Sequence, residues 1–300
     1  ALAYTKRLSD LGLEDQPDNP SMGALNVEFN RFSVWGRGKK IHPPLDIILK
    51  KKNKSSNGLK FEYLGGDTRE VWQVNKKEKL KYIEDIPTRN SSLFSANYFR
   101  FLAARHGLKI PESKKKNWNE KGKVLAKHNG LPLSRLAYLG LEYSNNLIAE
   151  TLLKRAAKEK TKKILSSKDA ALKMLDWLKS EYKKVDWNSA SFENGSGLSL
   201  NNQVSAQTMV EFLSALSEHQ YGNLAFLSLL SINAHSGGLA RRLRHPDMAY
   251  RVDGKTGSLY YVSNLAGYLI AKSGKKYAYA IFLTNQTKRE QLNSGNSKKN

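Results

Sequence analysis

The sequence contains no cysteine and only six histidines. The absence of cysteine excludes disulfide bonds, thiolate metal sites and a cysteine nucleophile. No two histidines have the H-x-H or H-x-x-x-H spacing typical of metal sites, so the sequence predicts no metal and no other cofactor. The histidines are His42, His106, His128, His219, His235 and His245.

Long hydrophobic runs are missing as well. No apolar stretch approaches the ~20 residues needed to span a bilayer, and residues 1–20 are too polar for a signal peptide. The composition is nonetheless that of a globular protein, since 40% of the 300 residues are hydrophobic and 10% are aromatic. A chain of this length can bury the core of one large domain or of two smaller ones.

Acidic residues are scarce relative to basic ones, 27 against 50, which gives a formal net charge of +23. Two interpretations are open: the charge binds an anionic envelope polymer or lipid surface, or it is a solvated lysine-rich surface. The second is favoured. Nucleic acid is not expected, because no lysine run interleaves basic and aromatic residues. The runs are Lys50–Lys54, Lys76–Lys81, Lys114–Lys116 and Lys158–Lys163.

The spacing of apolar residues changes after Pro87. Residues 21–86 contain short alternating runs that predict strands, the first over residues 25–29, with a bend near residues 30–31. From residue 87 to 216 the apolar spacing is helical. Strand-like runs then begin at residues 257, 265 and 277, and a turn at residues 273–276 joins the last two. Helices gathered before a terminal antiparallel hairpin predict an α+β fold.

Two short motifs suggest chemistry: Ser144-Asn145-Asn146 and Lys255-Thr256-Gly257. At the start of a strand, the lysine would stabilise a substrate carboxylate or a developing charge, and the threonine hydroxyl would bind the same carboxylate. The glycine would let a substrate backbone pair with the strand edge. At a helix junction, the serine would relay a proton and the second asparagine would hold a substrate carbonyl.

Each motif alone also has a purely structural explanation. Ser144-Asn145 before an amphipathic helix, with Glu150 in the following turn, is typical of N-terminal capping. A Lys-Thr-Gly string is equally typical of an ordinary turn before a strand. Neither motif in isolation therefore decides between a functional site and local structure.

The order of the motifs along the chain favours the functional interpretation. The series closely resembles the D-alanyl-D-alanine carboxypeptidase/endopeptidase family, the class C low-molecular-mass penicillin-binding proteins. The resemblance extends from about Ser91 to Asn285, and residues 23–30 look like the strand that closes the inserted region of that family. In chain order the segments are Leu131–Ser134, Ser144–Leu153, Asn194–Ser199, Val204–Ala206, Gly254–Gly257 and Val262–Tyr268.

The resemblance implies a penicillin-binding-protein/β-lactamase-like transpeptidase domain with an antiparallel sheet and helices in residues 87–300. Residues 1–86 would be the mostly β remainder of an inserted domain. The implied protein is a periplasmic or cell-surface enzyme that hydrolyses peptidoglycan peptides of the D-Ala-D-Ala type as a DD-carboxypeptidase or DD-endopeptidase. It would act through a serine acyl-enzyme and would be acylated by β-lactam antibiotics.

The same resemblance assigns roles to individual residues. Asn194 stands where the glycine-serine loop of the family usually has aspartate. The implied catalytic residues are Ser144, Asn146 and Lys255, and the implied substrate-binding residues are Thr256, Gly257, Ser196 and Gly197.

The element that carries the nucleophile in this family, S-x-x-K ahead of S-x-N, is not evident. The strings Ser113–Lys116, Ser180–Lys183 and Ser273–Lys276 have the wrong order or context. Ala3-Tyr4-Thr5-Lys6 resembles S-x-T-K with alanine in place of serine, but glycine and prolines interrupt the segment that follows. We therefore expect the nucleophile upstream of residue 1 or on a separate chain segment. Two alternatives remain: an inactive homologue that binds peptidoglycan peptides, and an anionic-polymer binding protein.

Overall fold

The computed structural model describes residues 4–10, 15–45, 47–52, 59–75, 78–114, 123–217, 219–259, 261–285 and 287. The helices are α1 (Ser91–Arg105), α2 (Leu133–Glu142), α3 (Asn146–Thr161), α4 (Ser167–Glu181) and α5 (Ala206–Ser217). The first strands are β1 (Arg31–Trp35), β2 (Lys40–His42), β3 (Ile48–Lys52), β4 (Phe61–Gly65), β5 (Val71–Asn75) and β6 (Ile83–Pro87). The later strands are β7 (Gln220–Tyr221), β8 (Leu224–Ala225), β9 (Ser231–Ile232), β10 (Val252–Leu259), β11 (Val262–Ile270) and β12 (Lys276–Thr284).

The chain forms two compact units, and α3 and α4 each contribute residues to both. The first unit consists of Ala1–Gly130, Glu150–Ala170 and Asn194–Ser199. The second consists of Leu131–Ala149, Ala171–Glu193 and Leu200–Asn300. The boundaries of these units differ from those of the predicted domains 1–86 and 87–300, and that division stays a prediction.

The first unit contains two three-stranded sheets, with strand orders β2-β1-β6 and β3-β5-β4. All pairs are antiparallel except β3 with β5, which run parallel. Phe32 and Val34 of β1 are buried with Trp72, Ile86 and Phe94 in one core, as the alternation of apolar residues in β1 requires. The predicted β character of residues 21–86 is confirmed.

The strand predicted over residues 25–29 is wrong. Leu25 is 60% exposed and Phe29 is 49% exposed, and a 3-10 turn at Glu28–Asn30 precedes β1. Asn30 explains the turn: its Oδ1 accepts a hydrogen bond from the Val27 amide at 3.2 Å, and its Nδ2 donates to the Ser21 carbonyl at 2.7 Å. Such local side-chain bonds compete with strand pairing. The predicted bend lies at the end of this turn.

The second unit is built on a four-stranded antiparallel sheet with the order β12-β11-β10-β9. Helix α5 packs on β11 and β12, where Leu213, Leu230 and Tyr268 form a buried cluster. The Tyr268 hydroxyl donates a hydrogen bond to the Leu213 carbonyl at 2.7 Å. The predicted α+β class and the predicted turn between β11 and β12 are confirmed. Among the described residues, no helix is both long and apolar enough to cross a membrane.

Strand β10 begins earlier than predicted. It starts at Val252 rather than at residue 257, so Lys255–Gly257 lies within the strand and not at its start. The extra length comes from pairing with β11, in which Val252 faces Leu269 and Leu259 faces Val262. Glycines 254 and 267 face each other in this ladder, and a side chain on Gly267 would lie 2.0 Å from the Asp253 carbonyl oxygen. Pairing with β11 therefore sets the place of the motif within the sheet.

Candidate active site

Ser144 lies in the turn between α2 and α3, where its side chain is exposed. Its φ of 52° is in the left-handed region, which costs a non-glycine residue roughly 1–3 kcal/mol. The turn is closed by a hydrogen bond from the Asn145 amide to the Gly140 carbonyl at 3.0 Å. A strained, tightly closed turn holds the Ser144 hydroxyl in one position at the start of a helix.

Asn145 caps helix α3. Its Oδ1 accepts a hydrogen bond from the Ile148 amide at 2.9 Å, which satisfies one of the free N–H groups of the first turn. The predicted capping explanation therefore applies to Asn145 and not to Ser144, whose hydroxyl serves another contact. Asn146 is the first residue of α3 and is half-buried.

The contact of Ser144 is with Lys255. The Lys255 Nζ donates hydrogen bonds to the Ser144 Oγ and to the carbonyl oxygen of Thr256. Burial lowers the pKa of the Lys255 ammonium from its ordinary value, because desolvation disfavours the charged form. The structure therefore joins two predicted site residues that are far apart in sequence. A lysine with a lowered pKa next to a serine hydroxyl can exchange a proton with it.

The edge of β10 beyond this lysine is open. Strand β9 pairs only with Asp253 and Gly254, so no strand covers that side of residues 255–259 within the described part of the chain. Gly257 is exposed, and a side chain there would meet only the Asn264 Cβ at 3.7 Å. An extended peptide can add to such an edge through main-chain hydrogen bonds.

Thr256 is placed differently from Lys255. Successive strand residues point to opposite faces of a sheet. A Cβ built on Gly238 would lie 2.5 Å from the Thr256 Oγ1, so the hydroxyl lies directly against the backbone of Gly238. The predicted binding of one carboxylate by Lys255 and the Thr256 hydroxyl stays a prediction.

Ser196 and Gly197 belong to the first unit, in a loop held by a buried carboxylate. Glu150 is fully buried, and its Oε2 accepts hydrogen bonds from the amides of Gly195 at 2.8 Å and Ser196 at 3.2 Å. Asn194 closes the loop by accepting from the Gly197 amide at 3.0 Å. The asparagine thus supplies the same kind of acceptor oxygen that an aspartate would. The prediction that Glu150 serves as capping chemistry for α3 is wrong.

Lys154 is a second buried lysine, one turn after Glu150 on α3. It is 3% exposed, and its Nζ has no hydrogen-bond partner among the described residues. Burial lowers its pKa, and the nearby Glu150 carboxylate opposes that shift. Sequence reasoning missed Lys154 because it lies in a lysine-rich helix. Its spacing from Glu150, i to i+4, was the available signal.

Two of the S-x-x-K serines lie at exposed positions of the second unit. Ser180 lies at the end of α4, exposed, and donates to the Trp177 carbonyl at 2.8 Å. Ser273 lies in the exposed turn before β12. Residues 4–6 are not helical, since Thr5 pairs with Met22, while Ala3 and Lys116 lie outside the described residues. In the part of the chain that the structure describes, no group of histidine and acidic side chains could hold a metal ion.

Comparison with known proteins identifies the family. The family model described as the D-Ala-D-Ala carboxypeptidase 3 (S13) family matches residues 96–299, more than half of the chain. This chain belongs to that family. The predicted family resemblance is confirmed.

Curated relatives agree with this assignment. D-alanyl-D-alanine carboxypeptidase DacB of Haemophilus influenzae is 30% identical over 166 residues, 55% of this chain and 34% of that protein. Carboxypeptidase DacB of Mycolicibacterium smegmatis is 29% identical over 169 residues, 55% of this chain and 36% of that protein. The matched region thus spans about a third of the length of these relatives.

Solved structures support the fold. The crystal structure of penicillin binding protein 4 (dacB) from Haemophilus influenzae has a TM-score of 0.68 and 21% identity, over 90% of this chain and 63% of that chain. The same protein in complex with a β-lactam also has a TM-score of 0.68, with 22% identity over 87% of this chain and 64% of that chain. The penicillin-binding-protein fold predicted from the motifs is confirmed.

Proposed function

We propose that the protein is a peptidoglycan DD-carboxypeptidase/DD-endopeptidase that acts through a serine acyl-enzyme. A serine hydroxyl attacks the carbonyl carbon of a D-Ala-D-Ala peptide bond, an ester forms, and the C–N bond breaks as the leaving nitrogen takes a proton. Water then hydrolyses the ester and regenerates the serine. Peptidoglycan peptides are the proposed substrate, and the proposed location is the periplasm or the cell surface.

The hydrogen bond from Lys255 to Ser144 carries this proposal. In it, Ser144 passes a proton from the Lys255 ammonium to the leaving nitrogen, and the lowered pKa of the lysine makes that transfer easier. The open edge of β10 binds the peptide as an added strand, with Gly257 leaving room for its backbone. Asn146, Thr256, Ser196 and Gly197 are proposed to contact the substrate.

Family membership supports the substrate class. The curated relatives are carboxypeptidases by name, and a related penicillin binding protein has been crystallised with a β-lactam. A β-lactam ring presents a strained amide to the same serine, and the resulting ester stays on the protein. We therefore propose that β-lactam antibiotics acylate this protein as well.

Fluorescent penicillin tests the proposal. The full-length protein is incubated with the reagent, and mass spectrometry then locates the acylated serine. We expect one labelled serine, and unlabelled penicillin should compete for it. Ser180→Ala serves as a control that should label at the wild-type rate, because Ser180 is exposed on α4 and donates to the Trp177 carbonyl of its own helix.

Two negative outcomes have different meanings. A folded protein that binds peptides ending in D-Ala-D-Ala without labelling or cleavage would contradict the enzymatic proposal and favour the peptide-binding homologue. A folded protein that neither labels nor binds such peptides would contradict both. Circular dichroism melting curves establish that the protein is folded in each case.

A further inference from the structure

The segment Arg241–Arg251, which leads into β10, is fixed by one buried amide. Asn233 is fully buried, and its Nδ2 donates to the carbonyls of Leu243 and Met248, each at 2.8 Å. Its Oδ1 accepts from the amides of Arg251 at 3.0 Å and Val252 at 2.9 Å. Because one side chain bonds both ends and the middle of the segment, the segment has a defined shape despite lacking helix or strand.

Four arginines lie on this segment, and the charges of three of them are not compensated by an acidic side chain among the described residues. Arg241, Arg242 and Arg244 are exposed, and none has an ion-pair partner among the described residues. The one acidic residue of the segment, Asp247, lies 3.6 Å from the Lys272 Nζ instead. Like charges on neighbouring residues of one chain segment repel one another, and a bound anion would relieve the repulsion.

The arginines follow directly on a turn that packs against the proposed site. The 3-10 turn Gly237–Leu239 contacts β9 and β10, and the backbone of Gly238 lies against the hydroxyl of Thr256. The Arg242 amide donates to the Leu239 carbonyl at 3.0 Å, which continues the turn into the arginine segment. The arginine segment therefore begins at a turn that lies against Thr256 of β10, within the same unit.

We propose that Arg241, Arg242 and Arg244 form an anion-binding surface that takes side-chain carboxylates of the peptide substrate, outside the part bound at Lys255. Guanidinium groups bind carboxylates through paired hydrogen bonds, which a lysine cannot reproduce. The peptide proposed to lie along the edge of β10 favours this ligand over a separate anionic polymer, because the turn that precedes the arginines lies against Thr256 of that strand. The inference rests on the proposed function and names a recognition surface for its substrate.

Exposed apolar and aromatic groups beside the arginines fit the same role. Tyr250 is 64% exposed, and its ring centroid lies 5.9 Å from that of His235. Leu243 has a φ of 50° and Tyr250 one of 60°, both in the left-handed region, so the segment keeps strained residues at the surface. Arginine and tyrosine together are the residue types that dominate recognition surfaces.

The test compares two peptides that end in D-Ala-D-Ala. One carries two free side-chain carboxylates, and the other carries carboxamides at the same positions. The variant R241Q/R242Q/R244Q is compared with K179Q/K183Q/K184Q, which removes the same charge from exposed positions at the end of α4. Dissociation constants are measured at low and high salt with the full-length proteins.

We expect wild type and the lysine control to bind the acidic peptide about tenfold more tightly than the amidated one at low salt. The arginine variant should bind both peptides with nearly equal affinity, and its affinity for the acidic peptide should depend less on salt. Fluorescent penicillin labelling should be unchanged in all three proteins, since it reports on the site at Lys255 and not on the arginines.

An acidic preference that survives in the arginine variant would overturn the inference, and so would its loss in both variants. Equal binding of the two peptides by wild type would overturn it even if penicillin labels the protein. Polyphosphate is the final probe: a polyphosphate affinity that falls in the arginine variant, with no acidic-peptide preference in wild type, would assign the surface to an anionic polymer instead. Failed penicillin labelling with an arginine-dependent acidic preference would contradict the proposed function and leave the peptide surface supported.

Discussion

Among the described residues, each compact unit holds one lysine whose pKa burial lowers, and the two lysines differ in their partners. Lys154 in the first unit is 3% exposed and has no hydrogen-bond partner among the described residues. Lys255 in the second unit is half-buried and donates to the Ser144 hydroxyl and the Thr256 carbonyl. A lowered pKa alone therefore does not distinguish a reactive lysine from a structural one.

The partners decide which lysine can do chemistry. Lys255 reaches an exposed hydroxyl on a strained turn, beside an open strand edge where a substrate can lie. Lys154 is enclosed near Glu150, whose carboxylate already binds the Gly195 and Ser196 amides. We infer that Lys255 handles protons, while Lys154 is a buried cation without a hydrogen-bond partner among the described residues.

Replacing Lys255 should have the largest effect. We expect Lys255→Met to slow acylation by fluorescent penicillin by roughly 10²–10⁴-fold, because the proton source next to Ser144 is lost. The free energy of unfolding should change by less than about 1 kcal/mol, since Lys255 is only half-buried. The measurement is the labelling rate together with a thermal melt. Lys275→Met, on the exposed turn before β12, is the matched control and should label at the wild-type rate. A Lys255→Met labelling rate within threefold of the wild-type rate would contradict the inference that Lys255 handles protons.

Removing the serine hydroxyl should have the next largest effect. Ser144→Ala is expected to slow acylation by about 10²-fold, at the low end of the range for proton transfer, because water can replace part of the relay. The same rate assay measures it. Ser144→Gly should match the alanine variant in rate but be more stable by roughly 1 kcal/mol, since glycine tolerates the positive φ. Equal stability of the two variants would argue against a strained turn.

In the first unit, substitutions of Glu150 should change the free energy of unfolding. We expect Glu150→Ala to lower the free energy of unfolding by roughly 2–3 kcal/mol, because two amides of the loop lose their buried acceptor. Glu150→Gln should lower the free energy of unfolding by less, since its amide oxygen can still accept hydrogen bonds from the loop amides. Urea denaturation measures both. Glu159→Ala, which removes an exposed carboxylate on the same helix, should cost only ~0.5 kcal/mol. A Glu150→Ala protein as stable as this control would show that Glu150 does not support the loop.

Replacing Lys154 should give the smallest effect, and it should raise the free energy of unfolding instead of lowering it. Lys154→Met is expected to raise the free energy of unfolding by roughly 1 kcal/mol at neutral pH, because an ammonium without a hydrogen-bond partner is no longer buried. Lys158→Met on the same helix, at a less buried position, should leave stability nearly unchanged.

The pH dependence of stability sharpens this prediction. Since burial holds the pKa of Lys154 below its ordinary value of 10.5, the unfolded chain binds more protons than the folded one between the folded pKa and 10.5. The wild-type free energy of unfolding should therefore rise relative to that of Lys154→Met as the pH rises through this window. A difference that stays constant across the window would mean that Lys154 is not destabilised by its burial.

The sequence predicts those parts of the site and of the fold that depend on short motifs and on the local spacing of apolar residues. Ser144 and Lys255 are recognisable because their motifs occur in a fixed order, and the helices and terminal strands follow from apolar spacing. The contact between the two residues does not follow from spacing, because it depends on how β10 packs beside the turn before α3. The same limit explains why Lys255–Gly257 lies inside β10, where pairing with β11 extends the strand.

Buried polar side chains are the residues that the sequence does not reveal. Glu150 looks like a capping residue by position, yet it binds a loop about 45 residues further along the chain. Asn233 lies in no motif, and its role depends on four backbone groups of a distant segment. At residues 25–29, local asparagine hydrogen bonds override an alternating pattern that would otherwise favour a strand.

A double-mutant cycle on Ser144 and Lys255 tests the central claim that the two residues form one proton-transfer pair. Acylation rates with fluorescent penicillin are measured for wild type, Ser144→Ala, Lys255→Met and the double variant, all checked for folding by circular dichroism. If the residues act as a unit, the double variant should be no slower than Lys255→Met alone. If the two losses multiply, the residues act independently and the claim is wrong.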